Sequence, residues 1–259
     1  MDSSQEPAAT LILSGFKRLD ADDGVLHRGR VTLLAGVPSV GKSALAISMI
    51  LGACQPEEAA AVYFTSFYEN GDLLLRLLAS AGGREPARSS QRGHGIGPFV
   101  EQAARRGLYL QPQGGLVHPC DEVAEKAREV ARQAPGLVAL AIDPLPSVSP
   151  ITRVGTEDRR RNLLGLRELA HELDIAVLLI SALPRQLVEA DDGRPRLRHL
   201  LATGIDPSLV DTALLLHRPA LHRARAPREL AEVEVHHGDE EHWRLVTLRY
   251  RAEERSCLD

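Results

Sequence analysis

Eight residues, Gly36-Val37-Pro38-Ser39-Val40-Gly41-Lys42-Ser43, set two glycines, a lysine and a hydroxyl at the spacing of a loop that holds nucleotide phosphates. Glycines let backbone N–H groups turn inward around the α- and β-phosphates, the lysine reaches the β and γ oxygens, and the hydroxyl ligates Mg²⁺. Gly36, Pro38, Ser39, Val40, Gly41, Lys42, Ser43 and Ala44 are the expected contacts of a nucleoside triphosphate. A second acid should serve the metal. Asp143 ends the most hydrophobic run of the chain, where its carboxylate can accept from Mg²⁺-bound water or from the Ser43 hydroxyl; the other reading is a cap on the following turn. Hydrolysis also needs a group to orient or deprotonate water. Glu69 is the nearest acid after the second strand, and its other reading is an exposed acid opening a helix over 72–78. Lys42, Glu69 and Asp143 form the expected catalytic set, with Ser43 and Asp143 at the metal.

These residues need elements to position them. Arg30 to Ala35 reads as a buried strand and Ala44 to Leu51 as a helix whose N-terminal dipole faces the phosphates. Further strands are expected at 61–64, 107–110, 137–142, 175–180 and 212–216, alternating with helical patterns, which predicts an α/β fold with a largely parallel sheet. Ligands of such sheets gather at the carboxyl ends of the strands, so the motifs should share one face. Glu232 to Val235 and Arg244 to Leu248 alternate with period two, predicting an antiparallel hairpin at the sheet edge. Thr156 offers an N-cap, with Glu157 and Asp158 in the first turn of a helix striped by Leu163, Leu166, Leu169, Ala170 and Leu173. The Gly- and Arg-rich stretch 82–97 and the Pro-rich stretch 144–155 read as loops that move.

Composition narrows the class. With 259 residues, 44% of them hydrophobic and 25% charged, the chain can bury one substantial core, and a single domain over 11–252 between short tails is expected. The net charge of −4 supplies no global attraction for nucleic acid, so such binding must come from a local basic patch. Cys54, Cys120 and Cys257 lack ligand spacing and predict reduced thiols in a cytoplasm without a disulfide or zinc site. No apolar run approaches the ~20 residues of a membrane helix. His94, the histidines at 236, 237 and 242, and the arginines between 218 and 228 are expected at the surface.

The chain resembles the RecA-like ATPase domain of the DnaB replicative helicase family, from about Leu13 to Tyr250. Ser14-Gly15-Phe16-Lys17-Arg18-Leu19-Asp20 is similar to the family's opening segment, and the phosphate loop follows at the family's distance. Leu73 to Ser80 resembles its helix after the second strand. Ser181-Ala182-Leu183-Pro184-Arg185, Arg194 to Leu200 and Thr203-Gly204 resemble the segment after the fifth strand and the DNA-facing loop, and Asp211 matches the acid before the next strand. The resemblance implies a RecA-like P-loop fold that uses ATP and Mg²⁺ to translocate on single-stranded DNA. The working unit it implies is a homo-oligomer, usually a hexameric ring, with nucleotide at subunit interfaces.

Three departures from the pattern bear on turnover. Phe67 falls where the family has its catalytic glutamate, and Glu69 replaces it only with a two-residue shift. Ala182 falls where the family has a glutamine that senses the γ-phosphate. The hairpin, His236-His237-Gly238-Asp239-Glu240-Glu241-His242, lacks the family's basic finger and leaves Arg244 or Arg249 nearby; such a finger is worth about 10³–10⁵ in rate. For DNA, the resemblance points to Arg194, Arg196, Arg198 and His199, with Arg185 beside them, as phosphate contacts that read no bases; a solvated arginine-rich loop is the other reading. The length leaves no room for the family's amino-terminal domain, so a minimal helicase is expected. Two further functions fit the same residues: a nucleotide-binding regulator or assembly factor with weakened catalysis, and a RecA/KaiC-like ATPase that does not unwind.

Overall fold

The computed structural model describes residues 10–65, 104, 107–112, 120–145, 156–222, 225–238, 242–251 and 256–258. Its centre is one nine-stranded sheet. In chain order the elements are β1 (Leu11–Ile12), α1 (Lys17–Asp20), β2 (Leu26–His27), β3 (Val31–Gly36), α2 (Lys42–Ala53), β4 (Ala60–Thr65), β5 (Leu108–Pro112) and α3 (Cys120–Gln133). β6 (Leu137–Asp143), α4 (Thr156–Leu173), β7 (Ala176–Ala182), α5 (Arg185–Glu189), α6 (Leu197–Ala202), β8 (Thr212–His217), β9 (Leu230–His237), β10 (Trp243–Arg251) and β11 (Ser256–Leu258) follow.

The sheet runs β11-β10-β9-β8-β3-β7-β6-β4-β5. The six strands from β8 to β5 are parallel, and β9, β10 and β11 extend them antiparallel. All six expected parallel strands are present, and so is the hairpin; the short β11 beyond it has no counterpart in the sequence reading. β3, β4, β6 and β8 are buried along their whole length, which is why they read as continuous apolar runs without alternation. The chain moves from β3 to β4 in one direction along the sheet and from β6 to β7 in the other. Right-handed crossovers therefore put α2 and α4 on opposite faces.

Helix α4 begins at Thr156 itself, with Glu157 and Asp158 in its first turn, and it buries Leu163, Leu166, Leu169 and Ala170 as the stripe required. Asp211 fastens the start of β3: its carboxylate accepts from the Val31 N–H at 2.8 Å and from Arg30 at 3.1 Å.

Two surface expectations are corrected. His236 is buried, because its ring stacks under Trp243 across the hairpin with centroids 6.2 Å apart. Arg218 is buried as well, its guanidinium lying 3.8 Å over the Tyr250 ring, a cation–π contact that a charge count along the chain cannot foresee. The loops expected to move, 82–97 and nearly all of 144–155, and the helix expected over 72–78 lie outside the described residues.

Candidate nucleotide site

The phosphate loop joins the carboxyl end of β3 to the start of α2, the strand–loop–helix order its motif demands. Two backbone positions shape it. Ser39 and Gly41 take positive φ, 64° and 112°, and a Cβ at Gly41 would sit 2.9 Å from Cε2 of Tyr250, so only glycine fits there. At Gly36 a Cβ would meet the Leu216 carbonyl oxygen at 2.6 Å, and its absence lets β8 lie close beside the loop. Gly41 caps α2 without any side-chain acceptor, leaving the first N–H groups of the helix for an anion.

Lys42 turns back over the loop. Its ammonium donates to the Gly36 and Val37 carbonyl oxygens at 3.0 and 2.9 Å. Burial depresses its pKa to about 8, an effect the nearby Asp143 charge partly offsets. A charged group so desolvated gains strongly from a phosphate.

Asp143 ends β6, separated from β3 by β7 alone, and is 3% exposed. The Tyr63 hydroxyl donates to its Oδ2 at 2.8 Å, and the Ser43 hydroxyl close by favours its charged form. Burial still holds the Asp143 pKa above the usual carboxylate range, against the nearby Ser43 and Tyr63 hydroxyls and the Lys42 charge. The donor set fits Mg²⁺. The Ser43 hydroxyl lies beside Asp143 with lone pairs for a metal, and a carboxylate with about four acceptor directions retains capacity for a metal-bound water.

Tyr63 escaped the sequence reading. It sits inside β4 as the largest fully buried side chain among the described residues, and nothing in the apolar run Ala60 to Phe64 marks its hydroxyl as functional. Its register explains the contact: Tyr63 pairs with Ala141, and Asp143, two residues on, points to the same face. Tyr250 is likewise a neighbour of the loop that no local pattern marks.

The other expected residues have partners of their own. Ala182 pairs with Gly36 at the loop's start, and its methyl group can donate nothing to a γ-phosphate. Arg185 lies beside the loop, its guanidinium 3.5 Å from the Pro38 carbonyl oxygen and 3.8 Å from Glu189. Arg194 reaches across to β9 and bonds both Glu232 and Glu234. Arg196 pairs with Asp192 at 2.9 Å, and Arg198 with Asp191 at 2.6 Å. His199 is buried. Its Nδ1 accepts from the Arg196 N–H at 3.0 Å, which caps α6, and its Nε2 faces Asp191 at 2.6 Å, so neither ring nitrogen is left for a phosphate. Near the hairpin, Arg244 donates to the Arg18, Leu19 and Ala21 carbonyls and ties β10 to α1, while Arg249 pairs with Glu229. Glu69 and Phe67 lie outside the described residues.

A family model described as the DnaB-like helicase C terminal domain matches residues 12–255. A probable plasmid replicative DNA helicase from Chlamydia psittaci is 27% identical over 252 residues, covering 92% of this chain and 53% of the relative. The replicative DNA helicase DnaB of Leifsonia xyli subsp. xyli is 28% identical over 237 residues, 86% of this chain and 50% of that protein. The chain thus spans about half the length of these curated relatives. One solved ATPase domain superimposes with a TM-score of 0.80 at 22% identity, over 97% of this chain and 92% of that one. A DnaB-like replicative helicase, solved in a study of its interactions with primase, gives 0.76 at 22% identity, over 98% and 64%. With the loop, its lysine and its buried acid in the family's order on the family's fold, the chain belongs to the DnaB-like helicase C-terminal domain family.

Proposed function

We propose that this chain binds ATP with Mg²⁺ and couples hydrolysis to movement along single-stranded DNA, as one subunit of a cytoplasmic homo-oligomeric ring. The observation that carries this reading is the convergence of Lys42, Ser43 and Asp143 at the carboxyl end of the sheet, with the open N-terminus of α2 between them. Family membership favours such a motor over a weakened nucleotide-dependent regulator or a RecA/KaiC-like ATPase.

In this reading the loop N–H groups and Lys42 bind the phosphates, and Mg²⁺, when bound, neutralises charge on the β and γ oxygens. Ser43 and Asp143 hold the metal, and Glu69 orients the attacking water. Arg185, beside the loop, and Arg196 and Arg198, more exposed than Arg194, supply DNA phosphate contacts by exchanging their carboxylate partners for phosphates.

ATP hydrolysis with and without single-stranded DNA tests the reading, with light scattering on the nucleotide-loaded protein. DNA-stimulated turnover by a ring-sized oligomer is expected. ATP binding without turnover, by a monomer or dimer under all conditions, would overturn the motor assignment.

A further inference from the structure

The Tyr63–Asp143 contact is set where no local motif asks for it. Three neighbours act on Asp143: the Ser43 hydroxyl, the Tyr63 hydroxyl and the charge of Lys42. The Tyr63 hydroxyl makes a hydrogen bond of 2.8 Å, whereas the Lys42 charge attracts without a bond, because the Lys42 ammonium donates to Gly36 and Val37 instead. A buried carboxylate near a buried ammonium is drawn to close on it. If it did, the ion pair would take the lysine from the phosphates and the acid from the metal.

Tyr63 opposes that closure. It is 1% exposed and held in a strand buried along its whole length, so its hydroxyl cannot follow a moving partner. It grips Oδ2 from the β4 side, while Lys42 reaches the site from α2. We propose that Tyr63 is a positioning residue: its hydroxyl pins the Asp143 carboxylate in register with Ser43 and apart from Lys42, so that the pair is preorganised for Mg²⁺. The proposal rests on the nucleotide and Mg²⁺ reading above. Groups that orient metal-binding side chains commonly change metal affinity about 10- to 100-fold when removed.

The test is Tyr63→Phe, which keeps the ring and its packing and deletes only the donor. Binding of a non-hydrolysable ATP analogue is measured by calorimetry across a Mg²⁺ titration and in EDTA, with thermal unfolding read in parallel. The Mg²⁺ midpoint should rise about 10-fold, while affinity in EDTA stays within about twofold of wild type. In an Asp143→Asn background the same change should leave the midpoint unmoved, because an amide cannot be held for the metal in the same way. Placing 4-aminophenylalanine at position 63, which restores an N–H donor at the same point of the ring, should bring the midpoint back. A lower melting temperature with an unchanged midpoint, an equal loss in EDTA, or no rescue would each overturn the positioning role. If wild type itself bound the analogue without any Mg²⁺ dependence, the metal reading would fail instead, which separates the two.

Discussion

The ring of Tyr250 closes over Gly41, so that a side chain at the glycine would collide with Cε2 at 2.9 Å. A residue near the end of the last long strand thus forms a wall of the phosphate loop, and Arg218 backs that wall from β8's carboxyl end. Gly41→Ala should cost about 1–3 kcal/mol of stability from its positive φ and abolish measurable nucleotide binding. Tyr250→Ala in the same chain should relieve the collision but not the backbone strain. Thermal unfolding and nucleotide titration of the single and double variants check this; full recovery in the double variant would contradict it.

Lys42 carries a pH signature. Its folded pKa of about 8 lies below its unfolded value, so the unfolded chain binds more protons between about 8 and 10.5. In that window this group makes stability rise with pH, and below about 8 its full burial cost is present. Lys42→Met should therefore raise the stability of the nucleotide-free protein at neutral pH, by at most about 3 kcal/mol, while eliminating ATP binding. Denaturant melts and calorimetry on the same variant give the two opposite signs.

The same titration governs affinity. Phosphate needs the charged lysine, so wild-type ATP affinity should be level below pH about 8 and weaken about tenfold per pH unit above it, until the raised pKa of the bound state is reached. Affinity that stays level to pH about 10 would exclude Lys42 as the phosphate contact.

Arg194 is held by Glu232 and Glu234, an intramolecular substitute for the phosphates expected of it. Converting both glutamates to glutamine should free the guanidinium, strengthen single-stranded DNA binding and steepen its salt dependence by about one ion. Arg194→Ala should instead destabilise the fold by about 1–3 kcal/mol, since two largely buried carboxylates lose their partner. Fluorescence anisotropy across a salt series reads the first effect and thermal unfolding the second.

His199 should behave as a structural cap. His199→Ala should lower stability by about 1–2 kcal/mol through loss of the Arg196 N–H acceptor, and leave the salt slope of DNA binding unchanged. A reduced slope with normal stability would place the ring at the nucleic acid after all.

The sequence alone determined what is local or periodic. The phosphate loop is eight consecutive residues whose backbone geometry follows from its own glycines, and the buried strands announce themselves because both of their faces are covered. Asp143 was legible by its place at the end of such a strand. Tertiary structure decided which polar groups meet. Tyr63 and Asp143 are 80 residues apart, and Arg194 and Glu234 are 40 apart. An arginine in a chain reads as a free charge until a neighbouring strand brings it a carboxylate, so the basic loop looked open and is largely neutralised by its own acids. The Tyr63 hydroxyl was hidden for the converse reason: in an apolar run a tyrosine reads as core. Only the register of β4 against β6 turns its one polar atom toward Asp143.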